Sequence, residues 1–321
     1  MTYRCNSRCQ ICNIWTKPSA RELGIREIER IFKSFTNLGW IDLTGGEVTL
    51  REDLVEIVRV IAKSTKNLLI AHVSTNGQIP DAAFSMVQEI LRSRLVPVVN
   101  ISVDGPRELN DRLRGVPGAF LRSLETFKRL KKMPKGHYYL SCTISKHNIK
   151  HIDELLSELK REISDFNFAD IHFNLFHASS HYYANQEVDG ASGLDSEEVK
   201  KYLSLSKRGH PFKIFLENEY INGISRFLSG ARSSMTCQAL NTTCFIDPSG
   251  IVYPCGIHNR PLGNLAHHEY DIKKLWNEKN SLHVLREIRD GKCPGCWSPC
   301  EAYPAILGSA IRNCFVKTGS R

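Results

Sequence analysis

No stretch of the chain reaches eighteen consecutive apolar residues, so no transmembrane helix is expected. No apolar segment follows Met1-Thr2-Tyr3-Arg4-Cys5, so no secretory signal is expected either. Internal repeats and low-complexity tracts are missing. No basic block interleaved with aromatics marks nucleic acid as a partner. Hydrophobic residues make up 41% and charged residues 24%, which excludes a disordered or fibrous chain. These absences leave a soluble, globular, cytoplasmic protein as the expectation. Its balance is mildly basic, 43 Lys+Arg against 34 Asp+Glu, or +9. That reads as a solvated face or as a pull toward an anionic partner.

Cysteine is the exception to this plainness. Eleven are present: Cys5, Cys9 and Cys12 at one end, Cys237, Cys244, Cys255, Cys293, Cys296, Cys300 and Cys314 at the other, and Cys142 alone between. In a reducing compartment such clusters point to metal or catalysis, not to disulfides. Cys142 sits in an apolar segment and reads as a buried small hydrophobe.

The first 180 residues alternate two periodicities. Residues 39–43, 68–73, 97–103, 137–144 and 171–176 read as strands; helical spacing marks 25–35, 54–61, 82–91, 120–130 and 152–163. A short strand before Cys5 makes about six strand–helix units. An eight-fold barrel takes ~250 residues, more than this region has. The fold class expected is α/β: a partial (β/α)6 barrel over 1–180, a helical connector over 181–235, and a small cysteine-rich domain over 236–321. Only four residues precede Cys5, fewer than the ~5–6 of a usual strand, so the first strand is expected to be a stub.

Cys5-x3-Cys9-x2-Cys12 follows that stub. Four thiolates saturate a 4Fe–4S cube, whereas three leave one iron open to a small molecule. A zinc site is the competing reading. Zinc wants a fourth ligand, and the nearest spare histidine, His72, is far along the chain. Three other unusual stretches also follow strands: Gly45-Gly46-Glu47, Ser74-Thr75-Asn76-Gly77 and Ser102-x-Asp104-Gly105. The C-terminal ends of strands are where parallel barrels carry their active sites.

The cysteine loop, Gly45-Gly46-Glu47 and Ser102-x-Asp104-Gly105 together resemble the radical S-adenosylmethionine (radical SAM) superfamily. The resemblance implies that Cys5, Cys9 and Cys12 hold a 4Fe–4S cluster whose open iron chelates S-adenosyl-L-methionine through its amino and carboxylate groups. An electron donor such as flavodoxin or ferredoxin would reduce the cluster. A 5′-deoxyadenosyl radical would then abstract hydrogen from an unactivated carbon. Gly45 and Gly46 would let the backbone approach the methionyl ammonium, with Glu47 as its charge partner. Ser102 and Asp104 would meet ribose hydroxyls or the methionine end, Arg114 the carboxylate, and Ile11 the adenine. Asn76 is a further cofactor-binding candidate. Ordinary turns, or a plain surface arginine, are the competing readings for these residues. No residue is assigned as catalytic.

At the other end, Cys237, Gly250-x4-Cys255 across a hairpin expected at 245–253, and Cys293-x2-Cys296-x3-Cys300 with Cys314 beyond resemble the SPASM extension. That implies auxiliary iron–sulfur clusters, two in the preferred reading. The seven cysteines are one short of the full pattern. The preferred division gives Cys293, Cys296, Cys300 and Cys314 to one cluster. It gives Cys237, Cys244 and Cys255 to the other, with an open or non-cysteine site. A zinc ribbon and a single auxiliary cluster with spare cysteines are the competing readings. Trp276 and Trp297 are expected to pack this domain.

Alternation puts His172, Asn174 and Phe176 on one face of the last barrel strand, with His177 just beyond. Inward polar groups are costly without a partner, so His172, Asn174 and His177 are substrate candidates. The function implied is hydrogen abstraction from an unidentified small-molecule or peptide substrate. Auxiliary clusters would relay electrons or grip the substrate. The lack of a docking domain before Cys5 weighs against a peptide maturase. A non-radical iron–sulfur electron carrier is the third reading, and it would gain nothing from an open iron.

Overall fold

A computed structural model of the protein describes residues 1–18, 21–206 and 211–318, excepting the side chains of residues 206 and 313–318. Its frame is one parallel sheet of β1 (Trp40–Leu43), β2 (Ile70–Thr75), β3 (Val96–Ser102), β4 (His137–Ile144) and β5 (Ile171–Leu175), in that spatial order. Parallel neighbours need long crossovers. These are supplied by α2 (Leu54–Ser64), α3 (Pro80–Arg92), α4 (Arg107–Arg114), α5 (Ala119–Lys131) and α6 (Ile152–Glu162), with α1 (Ile25–Ser34) ahead of β1. Alternate strand residues, such as Ala71, Val73, Val99, Ile101, Leu140, Cys142 and Phe173, are buried in one core with helix residues such as Ile57, Ile61, Met86, Ile90, Leu124 and Phe127. The residues between them point the other way. Asp42, His72, Asn100, Tyr139, His172 and Asn174 therefore stand on an inner, polar face that is only partly covered.

Residues 1–4 form no regular strand but run beside the end of β1 as the sixth unit's stub. The Met1 amine donates to Thr44 O (3.0 Å), Gly46 N to Thr2 O (2.7 Å) and Glu47 N to Arg4 O (2.8 Å). This pairing explains the two glycines. A Cβ on Gly45 would sit 2.3 Å from Thr2 O, and one on Gly46 2.2 Å from Arg4 O.

One barrel helix differs from expectation. α4 is absent from the sequence reading, although Pro106 precedes it and Gly115, at φ 64°, ends it. α8 (Pro211–Leu228) lies within the helical connector expected over 181–235. With α7 (Ser196–Leu203), α8 packs onto the sheet: Val199, Tyr202, Tyr220, Ile221 and Ile224 share the barrel core.

The cysteine-rich end has its own small core of Val252, Leu265, Leu275 and Val284, with Trp276 packed against it. Around it lie the antiparallel strands β6 (Phe245–Ile246), β7 (Ile251–Tyr253) and β8 (Gly263–Asn264), then α9 (Ile272–Trp276) and α10 (Lys279–Arg289). The last helix, α11 (Pro299–Thr318), returns to the barrel, where Ala302 and Ile306 join the larger core. Trp297 goes there too, not into the small domain as expected. It is 4% exposed, and its Nε1 donates to Tyr220 O at 2.6 Å. A Cβ on Gly223 of α8 would lie 2.2 Å from its ring. An indole needs an apolar bed and one acceptor, and α8 offers both.

Candidate active site and cysteine gatherings

The N-terminal cysteine loop docks on the C-terminal end of α4. Arg8 N and Gln10 N donate to Arg114 O and Leu113 O, each at 2.9 Å. Gly115 permits the approach, because a Cβ there would lie 2.7 Å from Arg8 O. From the opposite side Asn185 Nδ2 donates to Ile11 O (2.8 Å), and Asn13 N donates to Tyr183 O (2.8 Å). Asn76 Nδ2 reaches Asn6 Oδ1 (2.7 Å) and Ser7 Oγ (3.0 Å). Asn76 is thus turned to the loop itself. Asn6, Ser7, Tyr183 and Asn185 carry no motif, and the sequence reading gives none of them this role.

The loop brings the thiols of Cys5, Cys9 and Cys12 within reach of one another's charge. Burial pushes the Cys5 thiol up to about 11 and that of Cys12 to about 12. Arg114 opposes this shift at all three cysteines. Its Nη2 pairs with Asp104 Oδ2 at 2.6 Å and its Nη1 lies 3.6 Å from Cys9 Sγ. Its Nε is buried with no protein partner among the described residues. A cation only 13% exposed, facing three thiols with a donor to spare, suits an anionic cluster carrying a carboxylate ligand. Among the described residues no three His, Cys, Asp or Glu side chains converge on a single ion position, as zinc ligands do. A four-iron cube takes one thiolate per corner and needs no such convergence.

Two rim carboxylates are committed elsewhere. Glu47 is fully buried. Its Oε1 accepts from Thr49 N (3.1 Å), Thr49 Oγ1 (2.6 Å) and Thr75 Oγ1 (2.7 Å), and its Oε2 from Asn76 N (2.6 Å). These bonds tie the loop after β1 to the end of β2 and the loop beyond it, and full burial closes the carboxylate off from an ammonium. The expected charge partner is therefore not presented. Asp104 accepts from Thr143 N at 2.9 Å besides pairing with Arg114, so it positions the guanidinium and does not face a ribose. Ser102 lies half-buried on the inner face, in register with Ser141.

On that face His72 bridges two strands. Its Nδ1 lies 2.6 Å from Asp42 Oδ1 and its Nε2 3.0 Å from Asn100 Nδ2. Burial lowers the His72 pKa, but the Asp42 carboxylate outweighs it and the net shift is upward. His172 Nε2 sits 3.7 Å from Glu217 Oε1, and burial pushes its pKa down to about 4. Asn174 Nδ2 donates to Ser141 Oγ at 2.9 Å. His172 and Asn174 thus share the inner face with Asp42, His72 and Asn100. The same alternation, applied to β1, β2 and β3, signals those three residues.

His177 is a correction. Its Nδ1 donates to Leu175 O (2.9 Å), its Nε2 accepts from Trp297 N (3.1 Å), and its ring stacks on Phe227. Both nitrogens are committed, so it anchors the cysteine-rich end and has no donor or acceptor left for a substrate.

The C-terminal cysteines surround a carboxylate. Glu301, in the first turn of α11, is 7% exposed. Its Oε2 accepts from Thr243 Oγ1 (3.3 Å) and lies 3.9 Å from Cys237 Sγ. Burial pushes it up to about 7. Cys237, Cys244, Cys255, Cys296 and Cys300 all feel its charge. Cys296 is also within reach of Cys237, Cys255 and Cys293. These charges link cysteines on both sides of the expected division; the side chain of Cys314 lies outside those described. Cys300 Sγ reaches toward the barrel, 3.8 Å from Asp42 Oδ2. The Tyr183 phenol feels both Cys300 and Cys12, so it stands between the two ends of the chain.

Residues 1–159 match the family described as Radical SAM superfamily, and residues 237–301 match SPASM, an iron-sulfur cluster-binding domain. The AdoMet-dependent heme synthase of Methanosarcina barkeri (strain Fusaro / DSM 804) is 27% identical, over 99% of this chain and 91% of that protein. The antilisterial bacteriocin subtilosin biosynthesis protein AlbA of Bacillus subtilis (strain 168) is 23% identical, over 92% and 66%. Among solved structures, native anSMEcpe with bound AdoMet and Kp18Cys peptide aligns with TM-score 0.57 and 20% identity, over 89% of this chain and 81% of that one. That likeness speaks for the fold alone. Among the described residues no helix is long and apolar enough to cross a membrane. The chain belongs to the radical SAM superfamily, whose cofactors are a 4Fe–4S cluster and S-adenosyl-L-methionine, and carries a C-terminal SPASM iron–sulfur domain.

Proposed function

We propose that this chain is a radical SAM oxidoreductase that removes a hydrogen atom from an unactivated carbon of an organic substrate held against the inner face of β1 to β5. One observation carries the reading: Arg114, fixed by Asp104, faces Cys5, Cys9 and Cys12 with a buried Nε that has no partner among the described residues. In this reading the three thiolates hold the cluster, and that guanidinium meets the carboxylate of S-adenosyl-L-methionine. The chemistry supplied when both are bound is one-electron cleavage of the sulfonium to methionine and a 5′-deoxyadenosyl radical. The chain's own residues orient and exclude. Asn76, Asn185 and Gly115 hold the cysteine loop in place, and Asp42, His72 and Asn100 line the wall beyond it. His72 holds a proton at Nδ1 against Asp42 Oδ1. Cys300 beside Asp42 puts the C-terminal gathering at the edge of the same space, which suits auxiliary clusters that relay electrons or touch substrate. A flavodoxin- or ferredoxin-type donor supplies the electron.

Similarity to a heme synthase over 99% of the chain favours a small-molecule substrate, such as a heme-precursor porphyrin. A peptide substrate is the second reading, favoured by similarity to the bacteriocin biosynthesis protein AlbA over 92% of the chain. The test gives reconstituted, dithionite-reduced protein a deuterated porphyrin or a deuterated cysteine-containing peptide. Deuterium in 5′-deoxyadenosine assigns the class. Unlabelled 5′-deoxyadenosine from both rejects both classes, and no 5′-deoxyadenosine at all rejects the radical reading.

A further inference from the structure

We propose that Glu301 is the oxygen ligand of an auxiliary iron–sulfur cluster whose thiolates are Cys237, Cys244 and Cys255; this rests on the auxiliary-cluster reading given above. A carboxylate removed from water is costly unless a cation or a metal compensates it. Glu301 is 7% exposed, and among the described residues no Lys, Arg or His forms an ion pair with it. The groups that face it are a hydroxyl, Thr243 Oγ1, and a thiol, Cys237 Sγ. Such a setting is poor for a structural carboxylate and good for one that meets a cation supplied from outside.

The neighbours identify that cation. Each of the three thiols is within reach of the carboxylate's charge, and Glu301 is the one charged group that acts on Cys244 among the described residues. Thr243, which touches Glu301, is bonded directly to Cys244 in the chain. Backbone N–H groups already point at two of the sulfurs: Ala239 N at Cys237 (3.5 Å), and Ile257 N and His258 N at Cys255 (3.4 and 3.2 Å). N–H donors of this kind stabilise cluster thiolates and tune their potential. Three thiolates leave one corner of a cube without a protein ligand. A carboxylate is an accepted iron ligand, and Glu301 supplies one from the rigid first turn of α11. The oxygen thereby replaces the eighth cysteine that the sequence lacks.

The test uses full-length protein loaded with its clusters, in a background where Cys5, Cys9 and Cys12 are Ala so that only auxiliary signals remain. Glu301→Gln keeps the size and the bond to Thr243 but ligates poorly; Glu301→Cys restores a fourth ligand of a different kind. Iron and sulfide per chain, the electron paramagnetic resonance (EPR) spectrum of the reduced protein and its midpoint potential are measured, with circular dichroism as the folding control. The expected result for Glu301→Gln is loss of about one iron per chain and a changed reduced spectrum. Glu301→Cys is expected to recover the iron with a spectrum and potential unlike the parent's, and it decides the matter if the Gln variant does not fold. Parent-like iron, spectrum and potential in folded Glu301→Gln, with those changes produced by Cys296→Ala, would overturn the proposal and pass the fourth site to Cys296. Absence of iron from the background protein with Glu301 intact would overturn the auxiliary-cluster reading and this ligand with it.

Discussion

The two ends of this chain both gather cysteines, but they place opposite charge among them. A guanidinium, Arg114, reaches all three thiols of the N-terminal loop. A carboxylate, Glu301, reaches five thiols at the C-terminal end. The first arrangement suits a site that must accept a carboxylate-bearing molecule from solution. The second suits a site that closes its own coordination. The means of fixation differ as well. Backbone hydrogen bonds to α4 and the amides of Asn76 and Asn185 clamp the loop, whereas Trp297 and His177 pin the cysteine-rich end to the barrel. Three cysteines at one end and seven at the other thus face opposite charges, and each contrast can be broken by substitution.

The largest effect is expected at Arg114. Arg114→Leu leaves Asp104 buried and unpaired, which typically costs ~3–5 kcal/mol. Thermal unfolding and iron analysis should show a destabilised chain that loses N-terminal iron and keeps its C-terminal iron. Trp297→Phe should act at the other end. It removes the bond to Tyr220 O and part of the packing on Gly223, roughly 1–3 kcal/mol, and should lower auxiliary iron while the N-terminal cluster persists. Asn76→Ala removes the bonds to Asn6 and Ser7, about 1 kcal/mol, and should slow 5′-deoxyadenosine formation more than it lowers the melting temperature.

A separate effect is on pH dependence. Burial holds His177 down at about 4, so the unfolded chain takes up that proton first, near ~6.5. The contribution to stability is then complete above pH ~6.5 and is lost as pH falls toward 4. Urea midpoints between these values should fall with pH, and His177→Gln should flatten the slope.

Much of the frame was legible because a period of two and a period of 3.6 differ plainly over five strands and the helices between them. α4 was not legible, since Leu109 and Leu113 are its whole buried apolar stripe. The cysteines announce themselves by residue type and spacing. Glu301 does not, because a glutamate after a cysteine has no pattern and its meaning lies in burial. Asp42, His72 and Asn100 meet across strands, so their contact depends on register. His177 looked like a pocket residue because its true partner, Trp297, lies 120 positions away. Glu47 looked like a ligand residue because two of its four donors, Thr75 Oγ1 and Asn76 N, come from a segment that the sequence does not show to be adjacent.

The central claim is that the N-terminal trio, and not the C-terminal gathering, serves S-adenosyl-L-methionine. It is tested most directly by two full-length variants, one with Cys5, Cys9 and Cys12 replaced by Ala, the other with Cys237, Cys244 and Cys255 replaced by Ala. Each is reconstituted anaerobically, reduced with dithionite and assayed for 5′-deoxyadenosine. The account predicts none from the first variant, which still carries the iron of its C-terminal cysteines, and continued formation by the second. Wild-type formation by the first variant, or its loss from a folded second variant that retains N-terminal iron, would contradict it.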